Sequence, residues 1–336
     1  MHGRAESEEH LISTGHLPPA EAVRSLVAEA HRRYRSTDEG RVADYIPVLG
    51  RTPRELFAIC VVAVSGARYG LGDEQYEFSI QSISKPFIFA LICQELGPDR
   101  ARELLGVDAT GHPFNSVMAI ESTPTRTGNP MVNAGAIAAA SLAPGDTAGE
   151  KWEFIEQGLA RFAGRRLELD LEVYACESAS NARNQGIAWL LESYGRLYSD
   201  PLQAIDLYTR QCALRVNVRD LAVMGATLAD GGVNPVTGDR VIDAATCARV
   251  LAVMATAGLY EHSGEWLFDI GLPGKSGVSG GIVTIAPGKG GLATFAPPLD
   301  AAGNSVRGQL ATRFLSERLG LNLFASKPDP RGQSSE

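Results

Sequence analysis

The sequence predicts an α/β chain of the α+β type, in which one antiparallel sheet is assembled from both ends of the chain, flanked by terminal helices, with a wholly helical lobe between. Three observations carry this. Apolar, strand-like runs lie at 56–64 and 76–80, and similar short runs separated by Gly and Pro return at 266–270, 280–286, 291–295 and 306–308. Between 85 and 260 the apolar residues recur with helical spacing and no convincing strand is found. A chain of 336 residues, 44% of them hydrophobic, can bury a large core. Residues 21–324 therefore read as one domain, with a sheet lobe at about 21–81 and 261–324 and a helical lobe at about 82–260. Residues 1–20 read as a flexible lead and 325–336 as a polar tail.

Taken in order, the first helix runs to Tyr34, with Val23, Leu26, Val27 and Ala30 at helical spacing. A segment ending at Pro47 is held extended by that proline. After the strand at 56–64, residues 65–73 carry turn formers, and 76–80 alternates like a second strand. An apolar helix follows over 86–96; Pro86 is tolerated in its first turn and Gly97-Pro98 closes it. A short helix at 100–105 leads into 106–129, rich in Gly, Pro, Thr and Asn, and irregular stretches of that length are usually functional or lid-like. From Asn133 an alanine-rich helix begins, and Gly135 reads as a close-packing residue. Helices are further expected at 152–162, 178–194, 201–213, 219–229 and 309–319.

Composition excludes several functions. The net charge of −8 and the absence of any basic run argue against a nucleic-acid partner. No apolar run reaches the length of a membrane span or a signal-peptide core, so a cytoplasmic protein with no membrane partner is expected. The five cysteines are odd in number, scattered and without a Cys-x-x-Cys pair, and the six histidines lack ligand spacing. Reduced thiols and no metal site are the reading.

Chemistry concentrates where the second strand hands over to the apolar helix. Ser82 and Lys85 are three apart and share a helical face, so the amine reaches the hydroxyl. A serine needs an adjacent base to act as a nucleophile, and lysine serves when burial favours its neutral form. Ser-x-x-Lys alone is a weak pattern, since Ser82 could be an ordinary N-cap and Lys85 a solvated residue.

Longer strings are more specific. Gly274-Lys275-Ser276-Gly277 together with Ser82-x-x-Lys85 resembles the serine β-lactamase and penicillin-binding superfamily. Asp44-Tyr45-Ile46-Pro47, the string from Gln81 to Lys85, residues 129–137, Glu177 with Arg183-Asn184, and Gly271-Leu272-Pro273 leading to Val278 and Gly280-Gly281-Ile282 are similar to the serine-dependent glutaminase family, from about Val42 to Gly308. The resemblance implies a β-lactamase-like fold, hydrolysis of L-glutamine through an acyl-enzyme, no metal or organic cofactor, and a homotetramer. It makes Ser82 the nucleophile and Lys85 its base, with the backbone N–H groups of Ser82 and Val278 as an oxyanion hole. It places Tyr45, Asn133, Glu177, Asn184, Tyr208 and Tyr260 in the substrate pocket. Side-chain chemistry agrees: a carboxylate such as Glu177 suits the ammonium of a free amino acid, and a phenol such as Tyr260 can relay a proton to departing ammonia. Cell-wall enzymes of the same fold are normally exported, which counts against that alternative here. A binding protein that keeps the pocket without turnover is the other.

Overall fold

The computed structural model describes residues 15–326; the remainder of the expected lead and tail lies outside the described residues. Helix α1 (Ala20–Tyr34) opens the fold and buries Val23, Val27 and Ala30. Strands β1 (Ala58–Ala63) and β2 (Arg68–Gly72) form a hairpin, so most of the segment expected as turn is strand. Strand β3 (Phe78–Ser79) is followed by a 3-10 turn (Gln81–Ile83) and α2 (Ser84–Leu96). The helical block comprises α3 (Pro98–Leu105), α4 (Val117–Ser122), α5 (Asn133–Ser141), α6 (Ala148–Ala163), α7 (Leu171–Ser180), α8 (Ala182–Ser193) and α9 (Pro201–Cys212). Strand β4 (Arg215–Val216), α10 (Val218–Ala229) and α11 (Ala244–Ala257) complete it. A 3-10 turn (Tyr260–His262), α12 (Ser263–Asp269), β5 (Gly274–Ser276), β6 (Gly281–Ala286), β7 (Gly290–Phe295) and α13 (Val306–Arg318) follow. None of the described helices is long and apolar enough to cross a membrane.

The main sheet has the order β2-β1-β7-β6-β5, and each pair is antiparallel. β1 pairs with β7 from Ala58↔Phe295 to Ala63↔Gly290, so the sheet is indeed built from both ends of the chain. Its strands are apolar on both faces. Ile59, Val61, Ile282 and Leu292 pack with α1 and α13, whereas Cys60, Val62, Val283 and Phe295 pack with α10 and the helical block. Helix α10 lies close on the sheet because Gly225 and Gly291 leave room. A Cβ on Gly291 would stand 2.3 Å from Ala222 O, which no native side chain tolerates.

The structure corrects several expectations. Only Phe78–Ser79 of the second strand forms, and it leaves the main sheet to pair with β4, a two-residue strand inside the block expected to lack one. Residues 266–269 are helical, in α12, and Ile270 is its C-cap: Trp266 and Ile270 are both buried while Phe268 is 89% exposed, a helical period mistaken for strand alternation. Val306, Arg307 and Gly308 form the first turn of α13, because Ser305 caps it by accepting from the Gly308 N–H at 3.2 Å. The expected helix 178–194 is two helices divided at Asn181, and α11, capped by Asp243, was not expected. Within the long irregular stretch, α4 supplies one short helix.

Candidate active site

The site is built at the seam where β3 leaves toward α2. Gln81 takes a left-handed backbone (φ 52°), rare for a residue with a side chain, and this swings the next residue, Ser82, toward the cleft. The turn is pinned from beneath: Ser84 Oγ donates to the Gln81 carbonyl at 2.8 Å and accepts from Gln211 Nε2 at 3.3 Å. Lys85, one turn into the helix and 1% exposed, points its amine back so that Nζ donates to Ser82 Oγ at 3.0 Å and to Asn133 Oδ1 at 2.7 Å. Burial lowers the pKa of this amine to about 8, partly opposed by the Cys212 thiol.

Asn133 begins α5, and Gly135 two residues on lets that helix approach the 129–130 backbone, since a Cβ there would lie 2.1 Å from Asn129 O. The packing reading of Gly135 holds. Asn133 is held on every side: its Oδ1 also accepts from Tyr208 OH at 3.0 Å, and its Nδ2 donates to Asn184 Oδ1 at 3.0 Å. Glu177, on α7, is half-buried, and Gln81 Nε2 donates to its Oε1 at 2.6 Å and to Ser79 Oγ at 3.1 Å. Burial raises the pKa of Glu177 to about 7, while the Gln81 bond pulls it back in part.

Tyr45, Ser82, Asn133, Glu177, Asn184, Tyr208 and Val278 line one open cleft of about 220 Å³. Tyr45 stands at the rim, 61% exposed. Lys85 and Tyr260 are not on the cleft wall but lie behind Ser82. Tyr260 is buried with a left-handed backbone (φ 60°), and its pKa is raised by burial to about 12, with hydrogen bonds to Ser82 and Ser276 opposing the rise. Among the described residues the Val278 N–H meets no protein acceptor. It is thus available to an incoming oxygen.

The structure therefore gathers every residue expected in the site. It adds Gln81, Phe114, Asn115 and Asn181 to the cleft lining. Gln81 precedes Ser82 in the string that marked the site, yet nothing in sequence shows that its side chain reaches Glu177. Phe114 and Asn115 lie in the irregular stretch, whose length was the signal. Their neighbourhood is ordered by contact with the site: Asn133 N–H donates to Phe114 O at 2.8 Å and Arg183 Nε to Asn115 O at 2.8 Å.

Comparison with known proteins agrees with this geometry. Residues 40–324 match the model of the Glutaminase family. The chain is 60% identical over 317 residues to "Glutaminase 2" of Yersinia pestis, covering 94% of this chain and 93% of that protein. Among solved structures, the probable glutaminase ybaS superposes with a TM-score of 0.89 at 43% identity, covering 92% of this chain and 100% of that one. A probable glutaminase from Bacillus subtilis, complexed with 6-diazo-5-oxo-L-norleucine, superposes with a TM-score of 0.80 at 30% identity, covering 95% and 100%. On sequence, fold and the assembly of the cleft, this chain belongs to the glutaminase family.

Proposed function

We propose that this glutaminase hydrolyses L-glutamine to L-glutamate and ammonia through an acyl-enzyme on Ser82. The observation that carries the reading is the buried amine of Lys85, 3.0 Å from Ser82 Oγ and with its pKa lowered to about 8, so that an appreciable fraction is neutral near neutral pH. Lys85 takes the Ser82 proton as Oγ attacks the side-chain carboxamide carbon. The oxygen of that carbonyl gains negative charge and is met by the Ser82 and Val278 backbone N–H groups. Tyr260 gives its phenolic proton to the departing nitrogen, the C–N bond breaks, and ammonia leaves. The proton held by Lys85 passes to Tyr260 and resets it; water then attacks the ester carbonyl, its proton passes through Lys85 to Ser82 Oγ as the C–O bond breaks, and glutamate is released.

Substrate recognition follows from the same wall. Glu177 faces the α-ammonium, with Gln81 fixing its carboxylate, and Tyr45, Asn133, Asn184 and Tyr208 line the path between that end and Ser82. The diazo ketone in the complex of the Bacillus subtilis protein has the α-amino acid head of glutamine, which supports a pocket of this kind. The resemblance further leads us to a cytoplasmic homotetramer without a cofactor.

The test is ammonia release by the purified protein from L-glutamine and from L-asparagine, repeated with Ser82→Ala. Glutamine turnover in the parent and a loss of roughly 10³-fold or more in the variant, with folding kept, is the expected outcome. A Ser82→Ala protein that retained substantial activity while Ser84→Ala lost it would move the nucleophile to Ser84.

A further inference from the structure

Two lysines are almost wholly buried near Ser82, and the reaction above uses only one. Lys85 is 1% exposed and Lys275 0%. A fully buried lysine is costly unless its amine has a reason to be there. Lys275 lies on β5 opposite Val283, and its Nζ donates to the Ser276 carbonyl at 2.8 Å. The same Nζ stands 4.0 Å from the centroid of the Tyr260 ring. Tyr260 OH approaches the same Ser276 carbonyl at 3.4 Å, a long contact, and the Phe114 ring lies 5.0 Å from the Tyr260 ring. Amine and phenol therefore converge on one carbonyl, and the amine covers the ring.

The Ser276 carbonyl is itself held in place. It belongs to a strand residue whose Oγ donates to buried Asn304 Oδ1 at 2.6 Å. Tyr260 needs such support, since its left-handed backbone places it outside a regular helix or strand. Burial pushes the Lys275 pKa well below the usual amine range, and the neighbouring Lys85 pushes in the same direction. The donor role of Lys275 rests on its geometry, with Nζ held between the Ser276 carbonyl and the Tyr260 ring.

We propose that Lys275 is a positioning residue for glutamine hydrolysis that acts through Tyr260: it aims the phenol at the departing nitrogen and steadies the ring once its proton has gone. A phenolate spreads negative charge over its ring, so an N–H aimed at the ring face is worth more after proton transfer than before. The gain falls on the transition state, and binding of glutamine is untouched. The proposal rests on Tyr260 being the proton donor in the reading above.

The experiment compares Lys275→Met, Tyr260→Phe and the double variant on two substrates, with thermal melting as a check on folding. Lys275→Met keeps the length and apolar stem and removes the donor. On L-glutamine it is expected to lower kcat by ~10–100-fold, within the range of acid–base effects, and to leave KM within about twofold. The double variant should be no more than about twofold slower than Tyr260→Phe, since one residue acts through the other. With the γ-(p-nitrophenyl) ester of L-glutamate, whose leaving group departs without a proton, the acylation rate of Lys275→Met should match the parent.

A folded Lys275→Met with parental kcat overturns the proposal, as does a double variant whose losses multiply. Equal losses of acylation rate on amide and ester also overturn it, because they mark general damage to the site. Should Lys275→Met not fold, Lys275→Gln, which keeps an N–H donor, serves on the same readouts with a smaller expected loss; equal losses on both substrates overturn the proposal there too. Tyr260→Phe at full activity would remove the relay itself, whereas a costly Tyr260→Phe beside a harmless Lys275→Met removes only the role given to Lys275.

Discussion

The two faces of the main sheet bury polar side chains in different ways. On the face covered by α1 and α13, several buried polar side chains bond to backbone carbonyls: Ser316 Oγ donates to Ile270 O at 2.6 Å, Thr312 Oγ1 to Gly308 O at 2.8 Å and Lys289 Nζ to Gly320 O at 3.0 Å, while the Thr284 and Thr294 hydroxyls there meet no partner among the described residues. At the seam with the helical block, side chains bond to side chains, linking Lys85 to Ser82 and Asn133, Asn133 to Tyr208 and Asn184, and Gln81 to Glu177. Side chain to side chain bonds are a minority in folded proteins, about 10–15%. Their concentration at one seam therefore separates a surface selected for packing from one selected for chemistry. A backbone carbonyl only anchors its partner; a side-chain partner can exchange protons with it or orient it toward a ligand.

This contrast can be broken by a variant on the quiet face that harms catalysis. Phe314 of α13 is buried there, its ring 6.3 Å from that of Tyr34. Phe314→Ala should destabilise the fold by about 3–5 kcal/mol, through lost burial and the cavity left behind. Guanidinium unfolding and steady-state kinetics at 25 °C check the pair of outcomes. The kcat for glutamine should stay within about twofold of the parent; a large fall in kcat in a fully folded sample would mean that the outer face is coupled to the seam.

A smaller effect sharpens the other side. Glu177→Gln keeps shape and removes charge, so kcat/KM for L-glutamine should fall at least ~10-fold with little change in melting temperature. An analogue lacking the α-amino group, a poor substrate for the parent, should lose little further. Equal losses for the two substrates would make Glu177 a support for Gln81 and no reader of the ammonium.

The mildest perturbation is pH. In the proposed mechanism Lys85 must be neutral to act as base, so with its pKa at about 8 activity should rise as pH increases through 8 and level above it. Glu177 must be ionised to hold an ammonium, so with its pKa at about 7 it adds a second fall below 7. The acid limb of kcat/KM should therefore steepen below pH 7, and in Glu177→Gln it should keep only the single step near 8. A variant with an unchanged acid limb would detach Glu177 from the profile.

Much of this architecture is visible in the sequence for physical reasons. β1, β6 and β7 are short, largely apolar runs because both their faces are covered, whereas Ser82 with Lys85 is a weak pattern by spacing alone and gains weight only from the longer strings around it. Lys275 belongs to a legible triplet, but its neighbour Tyr260 is fifteen residues upstream and across a turn, so their contact is not legible. Asn133, Glu177, Asn184 and Tyr208 sit on four different helices. A single polar residue on each carries no pattern, and only the family resemblance picked them out. Trp266 and Ile270 deceived because five residues are too few to tell a period of 3.6 from one of 2.

The pairing of β1 with β7 also fixes when activity can arise. Ala58 must find Phe295, more than two thirds of the chain length away, and Val278 lies between β5 and β6. At roughly 5–20 residues per second of synthesis, an interval on the order of 10–50 s separates the emergence of the two partners. For most of that interval Ser82 and Lys85 exist without the Val278 N–H and without Tyr260. A nascent chain thus carries the proposed nucleophile long before the rest of the cleft is made, and the edge of β1 that will pair with β7 is meanwhile open to other strands. The stretch from Tyr260 to Phe295, about a tenth of the chain, is the part whose arrival completes the cleft.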